Sequence, residues 1–172
     1  MKKLILTIDS ATNVVLTYIC IIQHNTSLRK VLKMERKIVI ASHGNYSQGL
    51  AHAGNMICGD LPYELEAFTL LPGMSANDFV EKLEKEILSD MSAEKEYVIL
   101  TDLFGASVCT AMCQLLKYEN VKVFAGMNLN LLLMICIEYR QKIGEKEAHE
   151  IVEMAREGIR YVQLDPVIKE EF

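Results

Sequence analysis

From residue 37 onward, short apolar runs alternate with amphipathic stretches. Ile38-Val39-Ile40-Ala41 and Tyr97-Val98-Ile99-Leu100 have no polar break, the pattern of strands covered on both faces. Lys37–Ala41, Glu64–Leu70, Tyr97–Leu100 and Val121–Ala125 therefore read as successive strands. A helix over Ser47–Cys58 places Leu50, Ala53 and Ile57 on one face. After the turn Leu71-Pro72-Gly73, Ser75 and Asp78 form a capping box for a helix burying Phe79, Val80, Leu83 and Ile87. Val108, Ala111, Met112, Leu115 and Leu116 mark a third helical stripe. Asn128 or Asn130 caps the apolar segment Leu131–Tyr139, which reads as buried on several sides. A last helix, Glu145–Glu157, ends at Gly158 as its C-cap, and Ile159–Leu164 reads as a final strand. Strands and helices alternating at this spacing predict a small doubly wound α/β domain, a three-layer α/β/α sandwich around a mostly parallel sheet.

Composition narrows the classes. Half of the 172 residues are apolar, enough for a sizeable core, and the net charge of −5 argues against the basic face that nucleic acid requires. The five cysteines (Cys20, Cys58, Cys109, Cys113 and Cys136) include no CxxC pair and no His/Cys metal spacing. They read as buried cytosolic thiols, with no metal and no cofactor expected.

The first 33 residues carry a different pattern. Lys2-Lys3 and an apolar run resemble the start of a signal peptide, but Asp9 and Ser10 interrupt it without a cleavage site. The run Val14–Ile22 is far shorter than the roughly 20 residues that span a bilayer. Met34-Glu35-Arg36-Lys37 reads as a natural start, and purine-rich codons for Arg29-Lys30-Val31 would resemble a ribosome-binding site. Residues 1–33 are thus expected to be a mis-called upstream extension or disordered, and 34–172 the domain.

The candidate chemistry lies at two strand ends. Strand one runs into Ser42-His43-Gly44 and strand three into Thr101-Asp102, and in a doubly wound sheet these ends are neighbours at the switch point. A carboxylate beside an imidazole holds one ring N–H and leaves the other nitrogen free to attack. Gly105-Ala106-Ser107 opens the next helix, where main-chain N–H groups and the helix dipole favour phosphate. Ser42 and Thr101 are candidates for support. Taken singly, His43 is equally a turn residue, Asp102 a loop cap and Ser107 a helix N-cap; together they suit phosphoryl transfer through a phosphohistidine. His52 reads as a helix-surface residue, His149 as solvated, and His24 lies in the suspect extension.

These residues resemble the mannose-family IIA domain of the bacterial sugar phosphotransferase system (PTS). The resemblance rests on Ile38-Val39-Ile40-Ala41-Ser42-His43-Gly44, Gly49-Leu50, Leu71-Pro72-Gly73, Leu100-Thr101-Asp102-Leu103-Phe104-Gly105 and Gly126-Met127-Asn128-Leu129, in that order. It covers residues 34–172. It implies that His43 accepts a phosphoryl group on Nε2 from the phosphocarrier HPr while Asp102 orients the ring. His43 would then pass the group to a IIB protein, which phosphorylates sugar at a membrane IIC/IID permease. It also implies a cytoplasmic homodimer, with Ile159–Leu164 exchanged between subunits in some members. The family's usual Gly-Gly-Ser-Pro appears here as Gly105-Ala106-Ser107-Val108, and Thr110 stands where Asn is common. An alanine at position 106 is tolerable where its φ is negative.

Other readings fit less of the chain. A receiver domain would want acidic residues where Ser42-His43 stands, and a histidine phosphatase would want Arg before His43 and a second strand-end histidine. The IIA-like subunit that feeds dihydroxyacetone kinase is nearer, but the glycine after His43 and the Leu103-Phe104-Gly105 loop favour the sugar branch. A non-catalytic regulatory module would not need both His43 and Asp102. The sugar itself is not legible in the sequence.

Overall fold

The computed structural model describes residues 35–59, 63–90 and 95–162. Its elements are β1 (Arg36–His43), α1 (Tyr46–Cys58), β2 (Glu64–Leu70), α2 (Ala76–Ser89), β3 (Glu96–Thr101), α3 (Ser107–Met112), β4 (Val121–Ala125), α4 (Leu129–Leu133) and α5 (Glu145–Glu157). A 3-10 stretch, Cys113–Lys117, continues α3, and a π-helical turn, Met134–Glu138, continues α4. Among the described residues the strands form one four-stranded sheet in the order β2-β1-β3-β4. Every pairing is parallel.

The two-residue period of a strand sorts the core into two layers. Ile38, Ile40, Val98 and Leu100 point to one face, where they meet Leu50 of α1, Leu131 and Leu132 of α4, and Ile151 and Ala155 of α5. Val39, Ala41, Tyr97 and Ile99 point to the other, against Phe79, Val80 and Leu83 of α2 and Val108 and Met112 of α3. Burying each large side chain stabilises the fold by about 1.5–3 kcal/mol relative to exposure. That is why the central strands lack a polar break. The three-layer α/β/α expectation is met, and within the described residues the sheet is wholly parallel.

Local departures have local causes. β1 runs on to His43 because that residue still pairs with Leu70 of β2. Ser75 caps α2 by accepting from the Asn77 main-chain N–H at 3.2 Å. Asn128, rather than Asn130, caps α4, accepting from the Leu131 N–H at 2.9 Å. Gly158 ends α5 with φ −73°, without the left-handed turn that often follows a helix. Leu116 was expected in the buried stripe of α3 but is exposed, because the tighter 3-10 winding after Met112 rotates it off that face. The expectation of uniformly buried cysteines is corrected as well. Cys109 and Cys136 are buried, Cys58 is half-buried, and Cys113 lies exposed outside the stripe.

Ile159–Val162 leave α5 as irregular chain, so this part of the expected last strand is not formed here. A strand needs a neighbouring ladder, and an exchanged one would take its ladder from a second subunit. Gln163 and Leu164 lie outside the described residues, as do residues 1–33 with the expected upstream extension.

The amino edge of the sheet is braced by buried charge. Arg36 and Glu96 sit opposite each other in the β1–β3 register and pair at 2.7 Å. The guanidinium also donates to the Ile135 carbonyl at 3.2 Å, to that of Gln141 at 2.6 Å and to that of Tyr139. Glu96 in turn accepts the Ile143 N–H at 2.8 Å. This pins the chain between α4 and α5 to the two central strands. Beside it, Lys37 reaches Glu64, Glu66 and Glu86 at 3.0, 2.8 and 2.7 Å.

Candidate active site

β1 and β3 carry their last residues to one point at the carboxyl edge, where the chain turns to β2 on one side and β4 on the other. This is the crevice in which open α/β sheets bind ligands. The β1–β3 ladder ends at Ala41 and Thr101, and His43 and Asp102 lie just beyond it.

There Asp102 Oδ2 accepts two hydrogen bonds from His43, one from its main-chain N–H and one from ring Nδ1, both at 2.8 Å. Asp102 Oδ1 accepts from the Leu103 N–H at 2.9 Å. The histidine side chain is 46% exposed and the aspartate only 14%. Partial burial works to raise the Asp102 carboxyl, but the hydrogen bonds from His43 and Leu103 outweigh it and hold the group below its ordinary range. An ionised Asp102 accepts only, so Nδ1 carries the proton, and in the neutral ring Nε2 presents its lone pair. Ser107 Oγ lies 2.9 Å from that Nε2 and donates to it.

The helix that brings Ser107 in starts on a special backbone. Gly105 has φ +76°, in the left-handed region that disfavours a side chain. Ala106 follows at φ −76° and ψ 171° as the N-cap of α3, making no side-chain cap. Its extra methyl relative to glycine therefore meets no conformational penalty. Ser107 becomes the first helical residue, and its hydroxyl is given to His43. The Ala106 N–H donates to the Leu103 carbonyl at 3.3 Å, so this member of the expected phosphate cradle is engaged within its own turn.

The supporting residues lie behind the histidine. Ser42 is fully buried; its Oγ accepts the Ser47 N–H at 2.7 Å and donates to the Gly44 carbonyl at 3.2 Å, locking the turn that carries His43. Gly44 takes φ +57° and donates to the Leu70 carbonyl at 3.0 Å. Thr101 is also buried and donates to the Phe124 carbonyl at 3.3 Å. Neither Ser42 nor Thr101 hydrogen-bonds to the imidazole, whose partners are Asp102 and Ser107. Leu103 and Phe104 project from the β3–α3 loop beside it, Phe104 being 85% exposed. His52 is exposed on α1 and His149 on α5, and neither joins the site.

Two residues at this edge escape a reading of the sequence. Ser47, fully buried, donates to the Phe68 carbonyl at 2.7 Å and lies 3.1 Å from Thr69 Oγ1. Its signal was a polar residue at the start of the buried stripe that continues through Leu50 and Gly54. Tyr46 donates from its hydroxyl to the Met127 carbonyl at 2.8 Å, a contact that nothing in the local sequence announces. Among the described residues, no group of three or more His, Cys, Asp or Glu converges as a metal-ligand set.

A carboxylate-held histidine at the switch point of a parallel α/β sandwich is an arrangement that can support phosphoryl transfer. The family model described as "PTS system fructose IIA component" (EIIA-man) matches residues 37–155, and the chain belongs to this family of IIA components, which serve phosphoryl transfer in the sugar phosphotransferase system. Solved structures agree with that assignment. The phosphotransferase system component EIIA from Streptococcus agalactiae is 28% identical with a TM-score of 0.62, over 73% of this chain and 96% of its own. The PTS IIA protein associated with the fucose utilization operon of Streptococcus pneumoniae is 26% identical with a TM-score of 0.60, over 76% and 96%. The mannose/sorbose specific IIA subunit from Enterococcus faecalis, at 20% identity and a TM-score of 0.61 over 77% and 98%, shares the fold. Among the described residues no helix is long and apolar enough to cross a membrane.

Proposed function

We propose that His43 is the phosphoryl carrier of this IIA component, accepting the group on Nε2 from phospho-HPr and passing it to a IIB protein. The observation that carries the reading is the division of labour on one imidazole. Nδ1 is bound to Asp102 at 2.8 Å while Nε2, 2.9 Å from a single hydroxyl, is the nitrogen able to attack.

The chemistry follows from that division. As the Nε2 lone pair forms its bond to phosphorus, the N–P bond of the donor phosphohistidine breaks and the donor nitrogen recovers its electron pair. The His43 ring keeps its Nδ1 proton and gains positive charge, which the ionised Asp102 stabilises at hydrogen-bond distance. Ser107 Oγ–H must leave Nε2 for this to happen, and it then donates to a phosphoryl oxygen. Gly105 and Ser107 offer main-chain N–H groups to the same phosphate, while Ala106 contributes after its 3.3 Å bond to Leu103 is released. Transfer to IIB runs the same steps in reverse.

In this reading the domain spans residues 34–172 and works in the cytoplasm, where IIB hands the phosphoryl group to sugar at a IIC/IID permease. A homodimer is part of the same proposal. Incubation with enzyme I, HPr and labelled phosphoenolpyruvate tests the core of it. Label on the wild type and none on His43→Ala is expected; an unlabelled wild type, or undiminished label on His43→Ala, contradicts it.

A further inference from the structure

We propose that Tyr46 is a positioning residue for the His43–Asp102 pair, acting through a closed circuit of hydrogen bonds that ties together the loops after β1, β3 and β4. The proposal rests on His43 being the phosphoryl acceptor and adds a residue that holds it in register.

The circuit can be followed atom by atom. Tyr46, the first residue of α1, donates from its hydroxyl to the Met127 carbonyl at 2.8 Å. The Met127 N–H donates to the Thr101 carbonyl at 2.9 Å. Thr101 leads directly into Asp102, whose Oδ2 takes both the main-chain N–H and the ring of His43. From His43 the chain passes through Gly44 and Asn45 back to Tyr46. The link between the β1 loop and the β4 loop in this circuit is one phenolic hydroxyl.

Its position explains why it matters. The β1–β3 ladder stops at Ala41 and Thr101, so no sheet hydrogen bond between these strands aligns His43 with Asp102. His43 is anchored on the β2 side, through its pairing with Leu70 and the Gly44 N–H on the Leu70 carbonyl at 3.0 Å. Asp102 is anchored on the β4 side, through Thr101 and Met127. Tyr46 joins the two anchors. Tyr46 as a residue is 46% exposed, yet its hydroxyl is committed to the carbonyl of Met127, a residue only 3% exposed. Holding reacting groups within a narrow geometry is where positioning residues affect rate.

Tyr46→Phe removes one oxygen and keeps the ring. Two donors separate positioning from docking: phospho-HPr, and phosphoramidate, which needs no protein surface. With phosphoramidate, the Nε2–P bond forms as the P–N bond breaks and ammonia leaves with its electron pair. Tyr46→Phe is expected to slow labelling of His43 from both donors by about three- to tenfold. It should also shift the Nδ1–H resonance of His43 and speed exchange of that proton with water. Tyr118→Phe serves as the control; it deletes the Tyr118 hydroxyl bond to Glu84 at 2.9 Å, far from the site, and should leave rates and resonance at wild-type values. Wild-type rates and an unmoved resonance in Tyr46→Phe overturn the proposal. So does a loss confined to phospho-HPr, which would make Tyr46 a docking residue. A wild type that neither donor labels at His43 instead refutes the carrier reading, and the Nδ1–H resonance still decides the role of Tyr46.

Discussion

The two central strands end in an acid–base pair at each edge of the sheet, and the pairs behave oppositely. At the amino edge Arg36 and Glu96 meet at 2.7 Å; at the carboxyl edge His43 and Asp102 meet at 2.8 Å. Distance does not separate them. The first pair is almost wholly buried, and carbonyls and N–H groups of the α4–α5 connection use its remaining capacity. The second keeps its histidine 46% exposed and leaves one ring nitrogen with a single hydroxyl for company. A satisfied, buried pair is a brace. A pair with one open atom at a loop-lined edge is what the proposed carrier role calls for.

Cutting the brace should have the largest effect on the fold. Glu96→Gln leaves the Arg36 guanidinium buried without its counter-charge, and unfolding free energy in urea should fall by about 3–5 kcal/mol. Protein kept folded in the cold should still take label at His43. A loss below about 1 kcal/mol would show that the pair is not the brace described here.

Asp102→Asn should give the reverse profile. Phosphoryl acceptance should fall about 100-fold, because a neutral amide neither secures the Nδ1–H tautomer nor stabilises the charged ring. Unfolding free energy should change by only about 1 kcal/mol. The acid titration of stability sharpens the point. The folded Asp102 carboxyl lies below its ordinary value, so its contribution is fully present above the unfolded pKa of about 3.9 and is lost as pH falls through the lower folded value. The stability gap between wild type and Asp102→Asn should thus stay level from neutral pH down to that point and close below it. A gap that closes already near pH 6 would contradict the depressed carboxyl.

The smallest effect concerns the turn that delivers Ser107. Gly105→Ala forces a methyl onto a residue at φ +76° and should cost about 1–2 kcal/mol in thermal or urea unfolding. Ala106→Gly, at φ −76°, should change stability by less than about 0.5 kcal/mol. Equal costs at the two positions would mean that the turn is not built as described.

Much of this was legible in the sequence for a physical reason. β1 and β3 are covered on both faces, so their apolar runs are unbroken, and a parallel sheet then brings His43 and Asp102 to one edge. What stayed hidden depended on backbone angles and distant carbonyls. Ser107 reads as an N-cap until the positive φ of Gly105 moves the cap to Ala106 and frees the hydroxyl for His43. Leu116 reads as buried until α3 tightens into a 3-10 stretch. Tyr46 gives no sign of its role, because its partner is a main-chain carbonyl 81 residues away.

The most direct test of the carrier assignment is to locate the phosphoryl group on the ring. Protein labelled with ¹⁵N at histidine, phosphorylated through enzyme I and HPr, should show phosphorus coupled to Nε2 of His43, with Nδ1 still protonated against Asp102. Phosphorus on Nδ1, or on any residue other than His43, would contradict the account.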